Sequence, residues 1–230
     1  MKSIRWLTFF LFLFLFPAKS FGQESHLLQS KQDFQPSLVT IKAFTIRSTP
    51  AEGGQTEMSG NEQQGNGVII NSSGIIVTNN HIVANSEHIL VTLPDGQTLN
   101  ATVVYTGDSD FCFLKITPPQ PLRAIDQADF SRIKIGSHII ALTHHQNILE
   151  GTVARLIKNP GSKSIDLIEL NLNLQPGDSG GSVFSEQGCL LGLLMARQES
   201  DPSKSYAISS HKIWKEYEKF NGSVLVGSKN

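Results

Sequence analysis

A serine lies between glycines in the segment Pro176-Gly-Asp-Ser-Gly-Gly-Ser182. Flanking glycines allow a tight backbone turn and leave room for a substrate carbonyl to approach the chain. Ser179 is therefore a candidate nucleophile, and the backbone N–H groups of Gly177 and Ser179 are candidates for an oxyanion hole. An ordinary Gly/Ser turn would have the same composition, so this segment suggests acyl-transfer chemistry without establishing it.

The same residues match G-x-S-x-G, the nucleophile elbow of α/β-hydrolases, which needs a helix directly after the serine. The chain instead continues toward the apolar, glycine-broken segment Cys189-Leu-Leu-Gly192, which predicts a strand. The elbow would also need its acid and base downstream, where only Asp201 and His211 are available. We therefore reject the elbow.

The other arrangement of a triad along a chain is histidine, then aspartate, then serine. His81 follows the apolar run Ile75-Ile-Val-Thr and two asparagines. Asp110 precedes residues 111–116, which are apolar except for Lys115, and at the head of such a strand a carboxylate can be buried against an imidazole. Asp108 is the rival acid, but a role in a turn is enough to explain it. We favour Asp110.

Short strand-like segments separated by turn residues position these groups. Asn71-Ser-Ser-Gly74 and Pro94-Asp-Gly96 predict hairpins, the polar residues 47–66 predict a mobile loop, and the proline-rich Thr117–Pro121 is typical of a linker. Strands are expected at residues 38–46, 67–70, 75–78, 88–93, 97–105, 111–116, 137–142, 151–157, 165–170, 181–184, 189–195 and 206–209. Many short strands split by one linker predict two small antiparallel β barrels in an all-β fold.

A helix is expected over residues 210–220, because Ile213, Trp214, Tyr217 and Phe220 fall on one helical face. Packing of this face onto the barrels explains it better than ligand binding. The predicted organisation is an N-terminal barrel at about 36–117, a C-terminal barrel at about 122–209, this helix, and a tail at 221–230.

The first 22 residues have the pattern of a secretory signal peptide. Lys2 and Arg5 precede the run Trp6–Phe16, and small residues follow at positions 18, 20 and 22. The run has 11 residues, whereas spanning a bilayer takes roughly 20. We expect cleavage after residue 20 or 22 and an exported mature chain, starting at residue 23, with no stable membrane insertion.

The composition also limits the classes of function and the kinds of site that this chain is expected to have. The 230 residues carry 19 basic and 20 acidic side chains, which argues against binding nucleic acid through bulk charge. Cys112 and Cys189 are too few for a disulfide framework, and we expect them to be unpaired in different barrels. His144 and His145 are adjacent and would point apart on a strand, so a surface role is favoured over a metal site. No metal or cofactor is predicted.

Three blocks resemble those that carry the triad in trypsin-fold serine proteases, and the bacterial HtrA/DegP-like branch in particular. They are Thr78-Asn-Asn-His-Ile-Val83, Asp110-Phe-Cys-Phe-Leu-Lys115 and Gly177-Asp-Ser-Gly-Gly181. Supporting blocks lie at residues 65–70, 188–192 and 206–209. The resemblance covers about residues 36–220 and implies two six-stranded antiparallel barrels with an active site in the cleft between them.

The resemblance assigns roles to the candidate residues. Ser179 is the nucleophile, His81 the general base, Asp110 the residue that orients the histidine, and the N–H groups of Gly177 and Ser179 form the oxyanion hole. By family analogy, the primary substrate pocket is lined by Asn173, Met195, Ala196, Arg197 and Tyr206. HtrA resemblance implies a preference for small or aliphatic side chains before the scissile bond, whereas an inward Arg197 would favour acidic ones.

Three features depart from the family pattern. Asp178 replaces the asparagine usual in HtrA proteases, and no Arg/Lys-Ile-Val-Gly-Gly segment is present to supply a zymogen-type partner, so Asp178 is expected to be solvated or paired with a basic side chain. Asn173 stands where trypsin carries an acid, which argues against a strong Arg/Lys preference. Too few residues follow Phe220 for the PDZ domain usual in HtrA proteins.

We therefore predict an exported serine endopeptidase without a PDZ domain, which hydrolyses protein or peptide substrates through an acyl-enzyme. Three alternatives stay open: a catalytically silent trypsin-fold binding protein or chaperone, an esterase that uses the same triad, and a glutamyl endopeptidase similar to the staphylococcal V8 protease. The filled triad positions favour catalysis. The sequence leaves the oligomeric state open.

Overall fold

The structure is a computed structural model that describes residues 37–50, 56–143, 147–161, 164–174, 181–198 and 201–227. At residues 46–50, 56–59, 196–198, 202 and 222–227 it describes the backbone alone. The expected signal peptide, the segment 175–180 with Ser179, and the His144-His145 pair lie outside the described residues.

The described residues form two closed antiparallel barrels of six strands each, which confirms the predicted fold class. The first barrel has the strand order β1-β2-β3-β6-β5-β4, and the second has β10-β11-β12-β9-β8-β7. The strands are β1 Leu38–Pro50, β2 Thr56–Asn71, β3 Ile75–Thr78, β4 His88–Thr92, β5 Thr98–Thr106, β6 Cys112–Lys115, β7 His138–Leu142, β8 Ile148–Ile157, β9 Leu167–Asn171, β10 Ser182–Ser185, β11 Leu190–Gln198 and β12 Asp201–Ser209. The helices are α1 Asn80–Val83 and α2 Ser210–Gly227.

Both predicted hairpins are confirmed. Residues 71–74 join β2 to β3, and residues 94–96 fall in the turn between β4 and β5. Each turn places a glycine at positive φ, 96° at Gly74 and 88° at Gly96, a conformation that other residues adopt only at a cost. These turns therefore depend on the glycines that made them recognisable in the sequence.

The predicted loop at 47–66 is wrong for its described residues. Strand β1 continues to Pro50, strand β2 begins at Thr56, and the two pair without interruption from Leu38 opposite Val68 to Pro50 opposite Thr56. Pairing of β1 with β4 stops at Phe44, so the residues beyond form a two-stranded ribbon outside the barrel. Backbone pairing within a hairpin does not need apolar side chains, so these strands have a polar composition that is also typical of a loop.

The expected helix at 210–220 is present but longer, because α2 extends to Gly227 into the predicted tail. Gly222 has a low helix propensity, but propensity is a weak prior and does not end the helix here. No helix among the described residues is long and apolar enough to cross a bilayer.

Three buried clusters hold the fold together. One fills the first barrel, one fills the second, and the third lies between the barrels and under α2. The third cluster joins residues of the first barrel, such as Phe111 and Phe113, to Phe184 and Ile208 of the second. The predicted helix face packs against it through Ile213, Trp214, Tyr217 and Phe220, as expected. The relative position of the barrels is thus set by apolar packing.

Polar contacts from α2 reach back to the first barrel. The Lys212 ammonium lies 2.8 Å from Asp108 Oδ1 and donates to Ser109 Oγ at 2.6 Å. The Tyr105 hydroxyl donates to Glu216 at 2.9 Å. These contacts lie between the helix and the segment that leads into Asp110.

Candidate active site

His81 is presented by the single helical turn that follows β3. Ile82 and Val83 on the same turn are 4% and 3% exposed and pack into the first barrel, whereas the His81 side chain is 51% exposed. The apolar residues of α1 therefore anchor this helical turn to the first barrel. The imidazole is left accessible at the barrel surface.

Asp110 is aligned with His81 through two contacts. Its Oδ2 lies 2.6 Å from His81 Nδ1, and its Oδ1 accepts the His81 backbone N–H at 2.9 Å. A carboxylate on Nδ1 selects the tautomer that leaves Nε2 unprotonated when the ring is neutral. This pair has the geometry of a general base with its orienting acid.

The ionisation of the two groups is coupled. The hydrogen bond to Asp110 raises the pKa of His81, partial burial opposes it, and the charge of Asp110 adds to the increase. Burial alone would raise the pKa of Asp110, but hydrogen bonds from His81 and Asn79 outweigh it and hold that pKa below its ordinary value. Asp110 therefore stays ionised while His81 titrates.

Asp108, the rival acid, bonds to α2 and not to His81. Its side chain is 75% exposed and bonds to Lys212, which lowers the pKa of its carboxyl. The contacts to the imidazole come from Asp110. Of the two candidate acids, the structure therefore brings Asp110 to the imidazole, and the catalytic role of Asp110 stays a prediction.

Ser179 and Gly177 lie outside the described residues, but the chain on either side is fixed. Leu174 is 1% exposed. On the other side, the Gly181 carbonyl accepts the Leu194 N–H at 2.8 Å, and a Cβ at Gly181 would collide with the Leu142 carbonyl oxygen. The serine segment therefore returns to β11 two residues after Ser179.

Leu194 connects the two halves of the site. Its N–H bonds to Gly181, and its carbonyl accepts a hydrogen bond of 3.0 Å from Asn79, whose amide also contacts Asp110 at 3.2 Å. Hydrogen bonds thus connect Gly181, which follows the serine segment, through Leu194 of β11 and Asn79 to the acid beside His81. The two barrels meet at this point.

The suggested pocket residues are only partly brought together. Asn173 is exposed beyond the end of β9, and Met195 packs against the cluster between the barrels. Tyr206 lies opposite Ala196 in β11 and opposite Glu169 in β9. The Ala196 and Arg197 side chains are outside the described residues.

Asn79 is a site residue whose role the sequence argument missed. It is fully buried and contacts Asp110, although it entered the argument only as part of a motif. The available signal was a polar residue at the end of an apolar strand, two positions before the candidate base. Such a residue must find buried partners.

Neither cysteine belongs to this site. Cys112 lies in the core of the first barrel, and burial raises the pKa of its thiol to about 12, which removes it as a nucleophile. Cys189 packs against the core of the second barrel, and no disulfide joins the two. Within the described part of the chain, no three ligating side chains are grouped as a metal site.

Comparisons with known proteins find serine proteases among the proteins similar to this chain. The model of the trypsin-like peptidase domain matches residues 65–193. The periplasmic serine endoprotease DegP of Escherichia coli (strain K12) is 28% identical over 209 residues, which cover 84% of this chain and 42% of DegP. The serine protease Do-like HtrA of Bacillus subtilis (strain 168) is 25% identical over 204 residues, which cover 79% of this chain and 45% of that protein.

A solved structure, the HtrA-type protease AlgW with decapeptide, has the same fold. Its TM-score is 0.68 at 20% sequence identity, and the match covers 85% of this chain and 67% of that one. The chain spans less than half the length of the two curated relatives.

Proposed function

The chain belongs to the trypsin-like peptidase family, and from this premise we propose that it is a serine endopeptidase. The observation that carries the proposal is the 2.6 Å contact between His81 Nδ1 and Asp110 Oδ2 where the barrels meet. An imidazole held by a carboxylate at one nitrogen can accept a proton at the other. The order of His81, Asp110 and Ser179 along the chain supports the same assignment.

In the proposed reaction, the Ser179 hydroxyl attacks the carbonyl carbon of the scissile peptide and its proton passes to His81 Nε2. The N–H groups of Gly177 and Ser179 stabilise the oxyanion. Collapse of the tetrahedral intermediate breaks the C–N bond, and His81 gives the proton to the leaving amine. Water, with His81 again as base, then hydrolyses the ester on Ser179 and restores the serine.

We propose protein or peptide substrates with a small or aliphatic residue before the scissile bond. Asn173 and Met195, two of the suggested pocket residues, carry no charge. Glu169, opposite Tyr206, is 7% exposed and already bonded to Arg155 at 2.6 Å and to Lys204 at 3.3 Å. Because these cations neutralise it, Glu169 gives no reason to expect a preference for lysine or arginine.

Mapping of cleavage sites tests this proposal. The mature protein is incubated with denatured casein and a peptide library, and the cut bonds are identified by mass spectrometry. We expect small or aliphatic residues before most cut bonds, and no cuts with Ser179→Ala. Glutamate or aspartate at that position would contradict the proposed preference and favour a glutamyl endopeptidase. Hydrolysis of small esters without any peptide cleavage would contradict the endopeptidase assignment.

The pH dependence of kcat/KM provides a second prediction. His81 accepts the serine proton only when it is neutral, and Asp110 raises its pKa above the ordinary 6.5. We therefore expect kcat/KM to rise with pH through one ionisation centred above 6.5 and then to reach a plateau. Initial rates between about pH 5 and 9 measure this ionisation. A midpoint at or below 6.5 would contradict stabilisation of the His81 imidazolium by Asp110.

We also propose that the protein acts after export. The first 22 residues have a basic, then apolar, then small-residue pattern, and DegP of Escherichia coli is described as periplasmic. Determination of the mature N-terminus tests this proposal, with cleavage expected after residue 20 or 22. A chain that retains Met1 in the cytoplasm would contradict it.

A further inference from the structure

Asn79 occupies the N-cap position of α1 but does not act as a cap. An N-cap asparagine ordinarily accepts a backbone N–H of the first turn through its side-chain oxygen. Asn79 has the extended backbone of an N-cap, φ −72° and ψ 136°, yet its side chain makes no capping hydrogen bond. The His81 N–H, which such a cap could accept, is taken by Asp110 Oδ1 instead.

The side chain of Asn79 is turned toward three oxygen atoms. Its Nδ2 lies 3.2 Å from Asp110 Oδ2, 3.2 Å from the Asp110 carbonyl and 3.0 Å from the Leu194 carbonyl. All three are acceptors, so only the amide nitrogen can face them and the orientation of the amide is determined. Asn79 thus donates to the same carboxylate oxygen that contacts His81 Nδ1.

This orientation is unfavourable for Asn79 itself. Its Oδ1 is buried and has no hydrogen-bond partner among the described residues. A buried polar atom without a partner costs free energy, so this orientation of the amide is maintained at the expense of Oδ1. The groups that gain are Asp110, in the first barrel, and the Leu194 carbonyl, in β11 of the second.

We infer that Asn79 is a positioning residue, which holds the Asp110 carboxylate in line with His81 Nδ1 and links it to strand β11. The inference rests on the proposed function. Among the described residues, the Asn79 side chain bonds to Asp110 and to the Leu194 carbonyl and not to His81 Nε2, and its effect passes through Asp110. Because β11 also holds the end of the serine segment through Leu194 and Gly181, Asn79 couples the alignment of the acid to the barrel that carries the nucleophile.

Two substitutions and a matched control test this role. Asn79→Leu approximates the size and branching of the amide but removes the donor, and Asn79→Ala removes the side chain. Asn80→Ala is the control, because Asn80 is the adjacent asparagine, is partly exposed and makes none of the three Asn79 contacts. For each protein we measure kcat and KM on a peptide from the mapped cleavage sites, the titration of the His81 ring by NMR, and the unfolding temperature.

Both Asn79 variants are expected to lose about 10- to 100-fold in kcat, with KM within about 2-fold of the parent, because a misaligned acid impairs the base without removing substrate contacts. Displacement of the Asp110 carboxylate weakens its hydrogen bond to His81 Nδ1, so the pKa of His81 should fall toward 6.5. Asn79→Ser, which retains a hydroxyl donor, should recover part of kcat, and Asn80→Ala should match the parent.

Parent-like kcat and an unchanged His81 titration in Asn79→Leu would overturn the inference, as would an increase in KM alone. Failure of both Asn79→Leu and Asn79→Ala to fold would also overturn it, because Asn79 would then serve the stability of the barrel junction. If the parent protein is folded but hydrolyses no substrate, the proposed function has failed. The His81 titration in parent and variants then decides the inference alone.

Discussion

Replacing Ser179 with alanine is expected to abolish labelling by a fluorophosphonate probe and to lower kcat by about a millionfold. Such probes react with a serine whose proton can be taken by a neighbouring base. His81 is available for this role, because Asp110 occupies its Nδ1 and the side chain is 51% exposed. Alanine removes the nucleophile and leaves only the weak catalysis of the oxyanion hole and substrate binding.

The measurement compares probe incorporation by parent and variant, with the labelled peptide identified by mass spectrometry. Ser182→Ala is the matched control, since Ser182 lies three positions later in β10 and is 1% exposed, out of reach of the probe. The control should label like the parent. Label on the Ser179→Ala protein would contradict the nucleophile assignment. A folded parent that takes no label would favour the alternative of a binding protein.

The pairing of His81 with Asp110 could be predicted from sequence, because it depends on the strands directly next to each residue. His81 follows a short apolar strand and Asp110 precedes another, and these strands are β3 and β6, which pair from Ile75 opposite Lys115 to Thr78 opposite Cys112. Antiparallel pairing of one strand's end with another's beginning brings the two side chains together. Chain order and apolar patterning were therefore sufficient for this pair.

The contacts across the barrels could not be predicted in this way. Asn79 donates to Leu194, 115 positions later in the chain, and nothing in the residues around either one specifies that partner. Leu194 takes part through its backbone carbonyl, a group that every residue type has. The ribbon of β1 and β2 escaped prediction for a related reason, because its backbone pairing left no pattern in the polar side chains.

The geometry around Asp110 predicts the consequence of replacing it with asparagine. Both carboxylate oxygens accept hydrogen bonds, Oδ1 from the His81 N–H and Oδ2 from His81 Nδ1 and Asn79 Nδ2. An amide has one acceptor oxygen, so one of its two orientations opposes the His81 N–H with an NH₂ group. In the other orientation the NH₂ group faces the Asn79 amide and donates to His81 Nδ1. That donation forces the imidazole into the tautomer with a proton on Nε2.

Asp110→Asn is therefore expected to lower kcat by about 10⁴-fold near neutral pH, because the orientation that donates to Nδ1 gives a tautomer that cannot take the serine proton, and the other orientation loses the contact with the His81 N–H. The pKa of His81 should also fall toward 6.5, since the carboxylate that raises it is gone. Steady-state kinetics and NMR titration of the ring measure the two effects. Asp108→Asn is the matched control and should stay within about 3-fold of the parent, because an exposed ion pair contributes little. If Asp108→Asn were inactive and Asp110→Asn active, Asp108 would be the acid of the triad.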